Sequence, residues 1–313
     1  MTHPAHARLL VDVSRDYYLD GRSKVEIAQH RGISRFQVAR LLTEARESGV
    51  VRIEIAPPAH LDGDRAGRLA DLLGARDVVI VPSGADPAAT RDAAAHALAS
   101  ILAARVHAGM TVGVSWSRTI ETAVGLLGAL PPCEVVQLVG ALPVSGAGDS
   151  LGLIERFRGM EGVRTWPVWS PMLVGDPATA AGMRRQTEIA AALDRADALD
   201  LAVVAVGAWS SDGSTVYPLI TEEDRRAATE AGAAAECSGR LLAADGSAVL
   251  TPLDARVVGV TLEQLARTPE VLAVGYGAHT ATALRAAVAG IGVTTLVCDE
   301  AAALALEEQA PST

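Results

Sequence analysis

Short apolar runs without a polar face recur through most of this 313-residue chain, and they constrain its fold more than any other feature. They occupy 77–83, 110–116, 134–140, 163–169, 201–209, 256–262, 271–277 and 293–299. Helical Ala/Leu stretches, such as 87–107, 118–129 and 279–289, separate many of them. A strand that is apolar on both faces must be covered on both sides, and parallel sheets between helices achieve this. The pattern therefore predicts a Rossmann-like, mostly parallel α/β domain over 65–313.

A different unit precedes the sheet, at residues 22–55. Ser23 and Glu26 fit a capping box that begins a first helix, and Gly32 fits its end. Ser34 then begins a second helix after a tight turn. The predicted inward-facing residues are Val25, Ile27 and Ala28 on the first helix and Val38, Leu41, Leu42 and Ala45 on the second.

The outer face of the second helix is polar, with Arg35, Gln37, Arg40 and Thr43. Arginine suits guanine edges or phosphates, and glutamine suits adenine edges. A strand is predicted over Val50–Ile55, and a supporting helix over 5–20. The pattern predicts a winged helix-turn-helix over 1–56 that binds double-stranded DNA, with 57–64 as a linker. The candidate DNA contacts are Arg22, Lys24, Ser34, Arg35, Gln37 and Arg40.

Charge divides unevenly along the chain, whose formal net charge is −10. Residues 1–56 carry nine Lys and Arg against seven Asp and Glu, and the rest carries eighteen against thirty. The acidic remainder would limit non-specific DNA affinity, so binding depends on a few local contacts. Lys24 is the only lysine in the chain.

Other classes of protein are disfavoured. Cys133, Cys237 and Cys298 are far apart, which predicts buried thiols in a reducing cytoplasm rather than a disulfide framework or a zinc site. The N-terminus lacks a signal-peptide pattern, and the apolar runs are too short to span a membrane. The glycine-rich run 146–152 departs from a dinucleotide fingerprint because its third glycine comes one residue late. We expect no metal, no cofactor and no catalytic residues.

Polar residues follow two of the predicted strands, where α/β sheets bind ligands. Residues 115–119 follow the second run and open a helix, so they offer hydroxyls, a guanidinium and N–H groups to a ligand. An ordinary helix cap would have the same sequence, so the sequence fits a ligand-binding loop and a plain N-cap equally well. A later segment, 275–280, follows its own strand in the same way.

Several collinear motifs resemble the SorC/DeoR-type sugar-binding transcriptional regulators of bacteria, over nearly the whole chain. They are EIAQHRGISRFQVARLLTEARESGVVRIEI at 26–55, VGVSWSRTI at 112–120, VVQLVGA at 135–141, AAAECSGRLLAADG at 233–246, RVVGVTLEQLARTPEVLAVGYGAHTATALRAAVAG at 256–290 and TTLVCDEAAALAL at 294–306. The resemblance implies an effector domain similar in fold to sugar-phosphate isomerases and glucosamine-phosphate deaminases. It also implies a dimer or tetramer whose hold on an operator changes with a sugar or sugar phosphate.

The resemblance also implies site residues. Arg35, Gln37 and Arg40 match the recognition helix of the family. With Trp116 from the same loop, the candidate effector-binding residues are Ser115, Trp116, Ser117, Arg118, Thr119, Gln137, Gly140, Glu236, Gly277 and Thr280.

The chain departs from the family pattern at three positions. Ser117 replaces a glycine, Ala235-Glu236 replaces Gly-Asp, and Thr280 replaces a lysine that contacts the effector phosphate. Threonine supplies a hydroxyl but no charge. We therefore hypothesise that the effector is an unphosphorylated sugar, polyol or related polar molecule, or else that Arg118 alone carries the phosphate.

The leading interpretation is an effector-controlled, DNA-binding transcriptional regulator that is not an enzyme. The alternative is a sugar-phosphate isomerase or deaminase with an accessory N-terminal domain, which the absence of an evident acid–base pair disfavours. A purely structural interaction module explains neither the polar helix face nor the polar strand ends.

Overall fold

The computed structural model describes residues 4–51, 63–142 and 150–309. The chain divides into two compact units, Met1–Ala56 and Pro57–Thr313. Most of the predicted wing strand and the glycines at 146 and 148 fall outside the described residues. Within those residues, no helix is both long and apolar enough to cross a membrane.

Over residues 4–51 the first unit contains three helices: α1 (Pro4–Tyr18), α2 (Lys24–Arg31) and α3 (Arg35–Glu47). Ser23 and Glu26 form the predicted capping box of α2, which ends at Gly32 in the left-handed conformation. The predicted core face of α3, from Val38 to Ala45, is buried, and it packs with Leu10, Val13 and Ile27.

Two local predictions for this unit need correction. Val25 is 47% exposed rather than buried. It lies about 200° around α2 from Ile27, so a single turn cannot bury both residues. Val50 and Val51 form a bend instead of the start of a strand, because Val51 N–H bonds back to Ala45 O at 2.8 Å.

The second unit is built on a nine-stranded sheet. Its strands are β1 (Asp77–Val81), β2 (Thr111–Val114), β3 (Glu134–Gln137), β4 (Arg164–Trp166), β5 (Leu201–Ala208), β6 (Ala233–Cys237), β7 (Arg240–Ala243), β8 (Glu270–Val274) and β9 (Thr295–Asp299). The main order is β1-β9-β8-β5-β2-β3-β4, with every neighbouring pair parallel. The prediction of a mostly parallel sheet is confirmed.

Helices cover this sheet on both faces, around two large apolar clusters. The helices described in this unit are α4 (Gly63–Leu73), α5 (Pro87–Arg105), α6 (Arg118–Leu126), α7 (Ser150–Arg158), α8 (Pro177–Arg184), α9 (Thr187–Arg195), α10 (Glu222–Glu230), α11 (Leu262–Arg267), α12 (Ala281–Ile291) and α13 (Glu300–Glu308), of which α8 and α10 pack in smaller clusters. The first of them begins at Gly63, two residues inside the segment predicted as a linker.

The order in which the chain connects the strands reverses between the neighbouring strands β2 and β5. From β2 the chain proceeds outward to β3 and β4, and from β5 it proceeds the other way to β8 and β9. Ligands in open α/β sheets bind at such a switch point, beyond the carboxyl ends of the strands. The far end of β5 also pairs antiparallel with β6, so the hairpin β6–β7 stands at this same edge.

The strand predicted over 256–262 does not form. Asp254–Arg256 is a short 3-10 turn, and only isolated bridges follow it, at Val257 and Gly259. Two arginine side chains bind the backbone carbonyl groups that a strand would need for its ladder. Arg240 donates to Val260 O at 2.8 Å and to Gly259 O at 3.3 Å. Arg184 donates to Val257 O.

Candidate functional site

A cavity of about 610 Å³ lies at the switch point, beyond the carboxyl ends of β2, β5 and β8. Residues in or just after all three strands line it, among them Ser115, Ala205 and Gly275. The segment after β3 closes one side with Gly140, where an added Cβ would approach Ser170 O and Pro171 O within 2.6 Å. A side chain there would displace backbone, so the wall is closely packed.

The structure brings eight of the ten candidate effector residues together around this cavity. They are Ser115, Trp116, Ser117, Arg118, Thr119, Gly140, Glu236 and Thr280. These residues come from four separate sequence motifs. They meet because parallel strands end at one edge of the sheet and the antiparallel β6–β7 hairpin, which carries Glu236, stands at that same edge.

Gln137 and Gly277 do not line the cavity. The Gln137 amide is buried, where it donates to Val139 O at 2.7 Å and accepts Val168 N–H at 3.2 Å. These two hydrogen bonds to backbone groups satisfy the side-chain amide of Gln137 within the fold. Gly277 adopts a φ of 86°, and its N–H donates to Asp299 Oδ1 at 2.8 Å. Both residues therefore hold neighbouring backbone or side chains in place and do not line the cavity themselves.

The 115–119 segment serves both as a helix cap and as a wall of the cavity. Ser117 is the N-cap of α6, and its hydroxyl accepts Ile120 N–H at 3.1 Å. Ser115 is buried, and its hydroxyl accepts Ala205 N–H at 3.3 Å, which ties β2 to β5. Arg118 is exposed at the rim. The Trp116 indole N–H has no partner among the described residues.

Glu236 places a buried carboxylate in the cavity wall. The side chain is 8% exposed, and it accepts the Ser214 hydroxyl at 3.1 Å and Gly239 N–H at 2.7 Å. Burial raises the pKa of this carboxyl, although both hydrogen bonds act to lower it. No cation pairs with it in the described part of the chain. Its carboxylate is therefore an acceptor that favours donors from a ligand.

Thr280 occupies the position where the resembling family has lysine. It is 4% exposed, and its hydroxyl donates to Gly277 O at 2.8 Å. The hydrogen of the hydroxyl is therefore used within the loop, and only its lone pairs remain for a ligand.

Two parts of the cavity wall were missed by sequence reasoning. The loop after β5 contributes residues 211–216, which carry no motif that the sequence analysis used. The turn of the β6–β7 hairpin contributes Ser238 and Gly239, with φ values of 52° and 77°. A Ser-Gly pair between two short strands is a turn signal that could have identified this hairpin. His279 and Arg91 also line the cavity.

The first unit exposes the outer face of α3, where Arg35 and Arg40 form no ion pair among the described residues. The other candidate DNA contacts have partners. The Ser34 hydroxyl accepts Gln37 N–H at 3.1 Å, and Gln37 Oε1 accepts Ser34 N–H at 2.8 Å. This capping box holds the Gln37 side chain along the helix and leaves its amide NH₂ group as a donor.

The remaining two candidates lie near α2. Arg22 reaches Asp16 at 3.4 Å, and the Lys24 ammonium lies 5.5 Å from the centre of the Tyr17 ring. Both cations are thus positioned by α1. Across the described ranges, no group of three or more His, Cys, Asp or Glu residues could hold a metal ion.

Comparison with known proteins gives one consistent result. Residues 60–306 match the family model described as "Putative sugar-binding domain". The chain is 28% identical over 311 residues to the transcriptional regulator LsrR of Klebsiella pneumoniae, covering 96% of this chain and 93% of that protein. It is 27% identical over 308 residues to the deoxyribonucleoside regulator of Bacillus subtilis, covering 96% and 97%.

A solved structure shows the same fold. It is the full-length sorbitol operon regulator SorC from Klebsiella pneumoniae, with a TM-score of 0.72 and 20% identity. The match covers 96% of this chain and 99% of that one. It therefore extends over the helix-turn-helix as well as the sheet.

Proposed function

This chain belongs to the sugar-binding-domain family of bacterial transcriptional regulators, and on that premise we propose that an unphosphorylated sugar or polyol occupies its cavity and controls its hold on DNA. The observation that supports the effector class is the buried carboxylate of Glu236 in the cavity wall, which no cation pairs with among the residues that the structure describes. The exposed face of α3 supplies the contacts to an operator.

The chemistry of the cavity favours hydroxyl groups over a phosphate. Burial disfavours the charged form of Glu236, and hydrogen bonds donated to its carboxylate oxygens favour that form, so the group suits the paired hydroxyls of a sugar as donors. A phosphate close to the Glu236 carboxylate would place two negative charges side by side in a buried environment, where their repulsion is strong. Thr280 supplies no compensating charge, and the only lysine of the chain, Lys24, belongs to the other unit.

Arg118 defines the competing possibility for the same site. Its exposed guanidinium stands at the cavity rim, where it could hold a phosphate that projects away from Glu236. Arginine binds phosphate in a bidentate manner. The cavity lining holds a second arginine, Arg91, so Arg118 and Arg91 together decide between a free and a phosphorylated effector.

Control of DNA binding requires an oligomer in this proposal. Two-fold-related helix-turn-helix units would occupy successive major grooves of a near-palindromic site, about one helical turn or a multiple of it apart. The effector would favour one arrangement of the subunits. Because coupling between sites is reciprocal, DNA would change the affinity for the effector by the same factor.

The test is thermal unfolding of the full chain with matched pairs of free and phosphorylated sugars and polyols. A ligand at about a hundred times its dissociation constant stabilises the fold by roughly 2.7 kcal/mol. We expect free members to raise the melting temperature and their phosphates to have little effect. Glu236→Gln should abolish the shift, whereas Arg118→Ala should retain it.

The opposite pattern overturns the effector class. If only phosphorylated members stabilise the chain and Arg118→Ala removes that effect, the site takes a sugar phosphate. We infer that the cavity binds without turnover, because the relatives are named as regulators. Conversion of any stabilising sugar or sugar phosphate by the purified protein would contradict this inference.

A further inference from the structure

Phe36 is the most exposed large hydrophobic side chain in the described part of the protein, at 78% exposure. It lies in the first turn of α3, between Arg35 and Gln37, and it takes no part in the apolar core of the first unit. Trp169, the next most exposed aromatic residue, reaches only 50%. Packing within the fold therefore does not explain an aromatic residue at this position.

The helix geometry places Phe36 at the middle of the outer face. At about 100° per residue, it lies about 170° from the centre of the buried face formed by Val38, Leu41, Leu42 and Ala45. Arg40, one turn further along, points the same way. The Arg35 guanidinium lies 5.6 Å from the centre of the Phe36 ring. The ring thus faces outward, with the Arg35 guanidinium beside it and Arg40 one turn along the same face.

The residues around the Phe36 ring indicate which kind of binding partner the ring can contact. Exposed arginines that form no ion pair among the described residues favour an anionic surface, and an exposed phenyl ring gains free energy when an apolar group covers it. A major groove offers both, because phosphates flank it and the thymine C5-methyl group is the apolar group on its floor. Residues at the start of a recognition helix are the ones that reach base edges.

We propose that Phe36 reads a thymine in each half-site of the operator by packing its ring against the C5-methyl group. This inference rests on the proposed DNA-binding function and adds to it the base and the atom that are recognised. Discrimination at that position comes from apolar contact and is independent of the hydrogen bonds that Arg35, Gln37 and Arg40 can make.

The test uses a duplex selected by the full-length protein from a pool of random sequence. Each thymine of that duplex is replaced in turn by deoxyuridine, which removes the methyl group and keeps the base pair. Loss of one buried methyl group should weaken binding about fourfold per half-site, at one position only. In Phe36→Ala the same replacement should have no effect, since the partner of the methyl group is gone.

Two further variants serve as controls. Phe36→Leu keeps an apolar side chain and should retain part of the sensitivity to deoxyuridine. Val11→Ala removes an exposed apolar group from α1 of the same unit and should behave as the wild type. Because Phe36 is exposed, its substitution should leave the melting temperature unchanged.

The outcomes separate this inference from the proposed function. Failure of the wild type to prefer any selected duplex over an unrelated one would contradict DNA recognition itself. Sequence preference without sensitivity to deoxyuridine, or with the same sensitivity in Phe36→Ala, would overturn the thymine contact alone. Weaker binding of Phe36→Ala without any methyl dependence would identify the ring as a wedge between bases.

Discussion

Asp299 Oδ1 accepts the backbone N–H of Gly277 across 2.8 Å, so the end of β9 fixes the loop that follows β8. The same oxygen accepts Ala302 N–H at 3.0 Å, and Oδ2 accepts the Ser83 hydroxyl at 2.7 Å. One buried carboxylate thus joins three strand ends at the edge where the cavity opens. The loop from Gly275 to Thr280 is positioned by a residue that does not line the cavity.

Asp299→Ala should destabilise the fold and weaken the effector response together. The substitution leaves two backbone N–H groups and a hydroxyl without their acceptor, at a cost of roughly 2–4 kcal/mol. Urea unfolding and the thermal shift with the stabilising sugar would measure both effects. Asp176→Ala, which removes the exposed N-cap of α8, should cost about 1 kcal/mol and leave the sugar response intact. An undiminished response in Asp299→Ala would contradict the positioning role.

Gly140→Ala should destabilise the fold by about 1–3 kcal/mol, because its Cβ would approach the backbone oxygens of Ser170 and Pro171. Urea unfolding would measure the change. Gly182→Ala in α8 is the matched control, since an added Cβ meets nothing within 4 Å there. That variant should instead gain about 0.5–1 kcal/mol from helix propensity. Equal effects of the two substitutions would show that the close approach at Gly140 carries no strain.

Glu236→Gln should stabilise the free protein at neutral pH and have little effect at acidic pH. The unfolded carboxyl loses its proton near pH 4.5, whereas burial raises the pKa of the folded one. The wild type therefore loses stability as the pH rises from about 4.5 through the raised value, and the neutral amide does not. Melting temperatures between about pH 4 and 8 would show the two variants diverging. Glu230→Gln, at an exposed position, should follow the wild type, and a pH-independent difference would oppose this account.

Arg40→Ala should weaken binding to the selected duplex by about 1–3 kcal/mol and relax the preference at one base position. The guanidinium is exposed on α3 and is not held by an ion pair among the described residues. Competition titrations against single-base variants would measure the change. Arg46→Ala, at the end of the same helix, should leave the preference unchanged. A uniform loss over all sequences would instead identify Arg40 as a phosphate contact.

Local rules predicted the helix-turn-helix well because its signals lie within a few residues of each other. Ser23 with Glu26, and Ser34 with Gln37, close their capping boxes inside single turns. The parallel strands were predicted equally well, since strands buried on both faces need continuous apolar runs. The same rule indicates residues 115–119 and Thr280 at the ends of such strands, whereas Gly140 and Glu236 were candidates only through the family resemblance.

Two of the errors, at 256–262 and at Gln137, arose where side chains bind the backbone of another part of the chain. The run 256–262 has the composition of a strand, but Arg240 binds two of its carbonyl groups and prevents a ladder. Gln137 is the last residue of β3 and was expected to face the effector, yet its side-chain amide bonds to the backbone of Val139 and Val168. Periodicity along the chain carries no information about such partners, which only the tertiary structure brings together.

The pairing of β1 with β9 has a consequence for biosynthesis. In the described sheet β1 lies at an edge, and its only partner is the last strand, while Arg65 pairs with Glu307 of α13 at 2.9 Å. During translation, β1 is synthesised more than two hundred residues before β9. Until then Val78 to Val81 form an apolar strand with nothing beside it, a form that aggregates readily or attracts chaperones. A message truncated before β9 would therefore yield a chain that quality control can recognise.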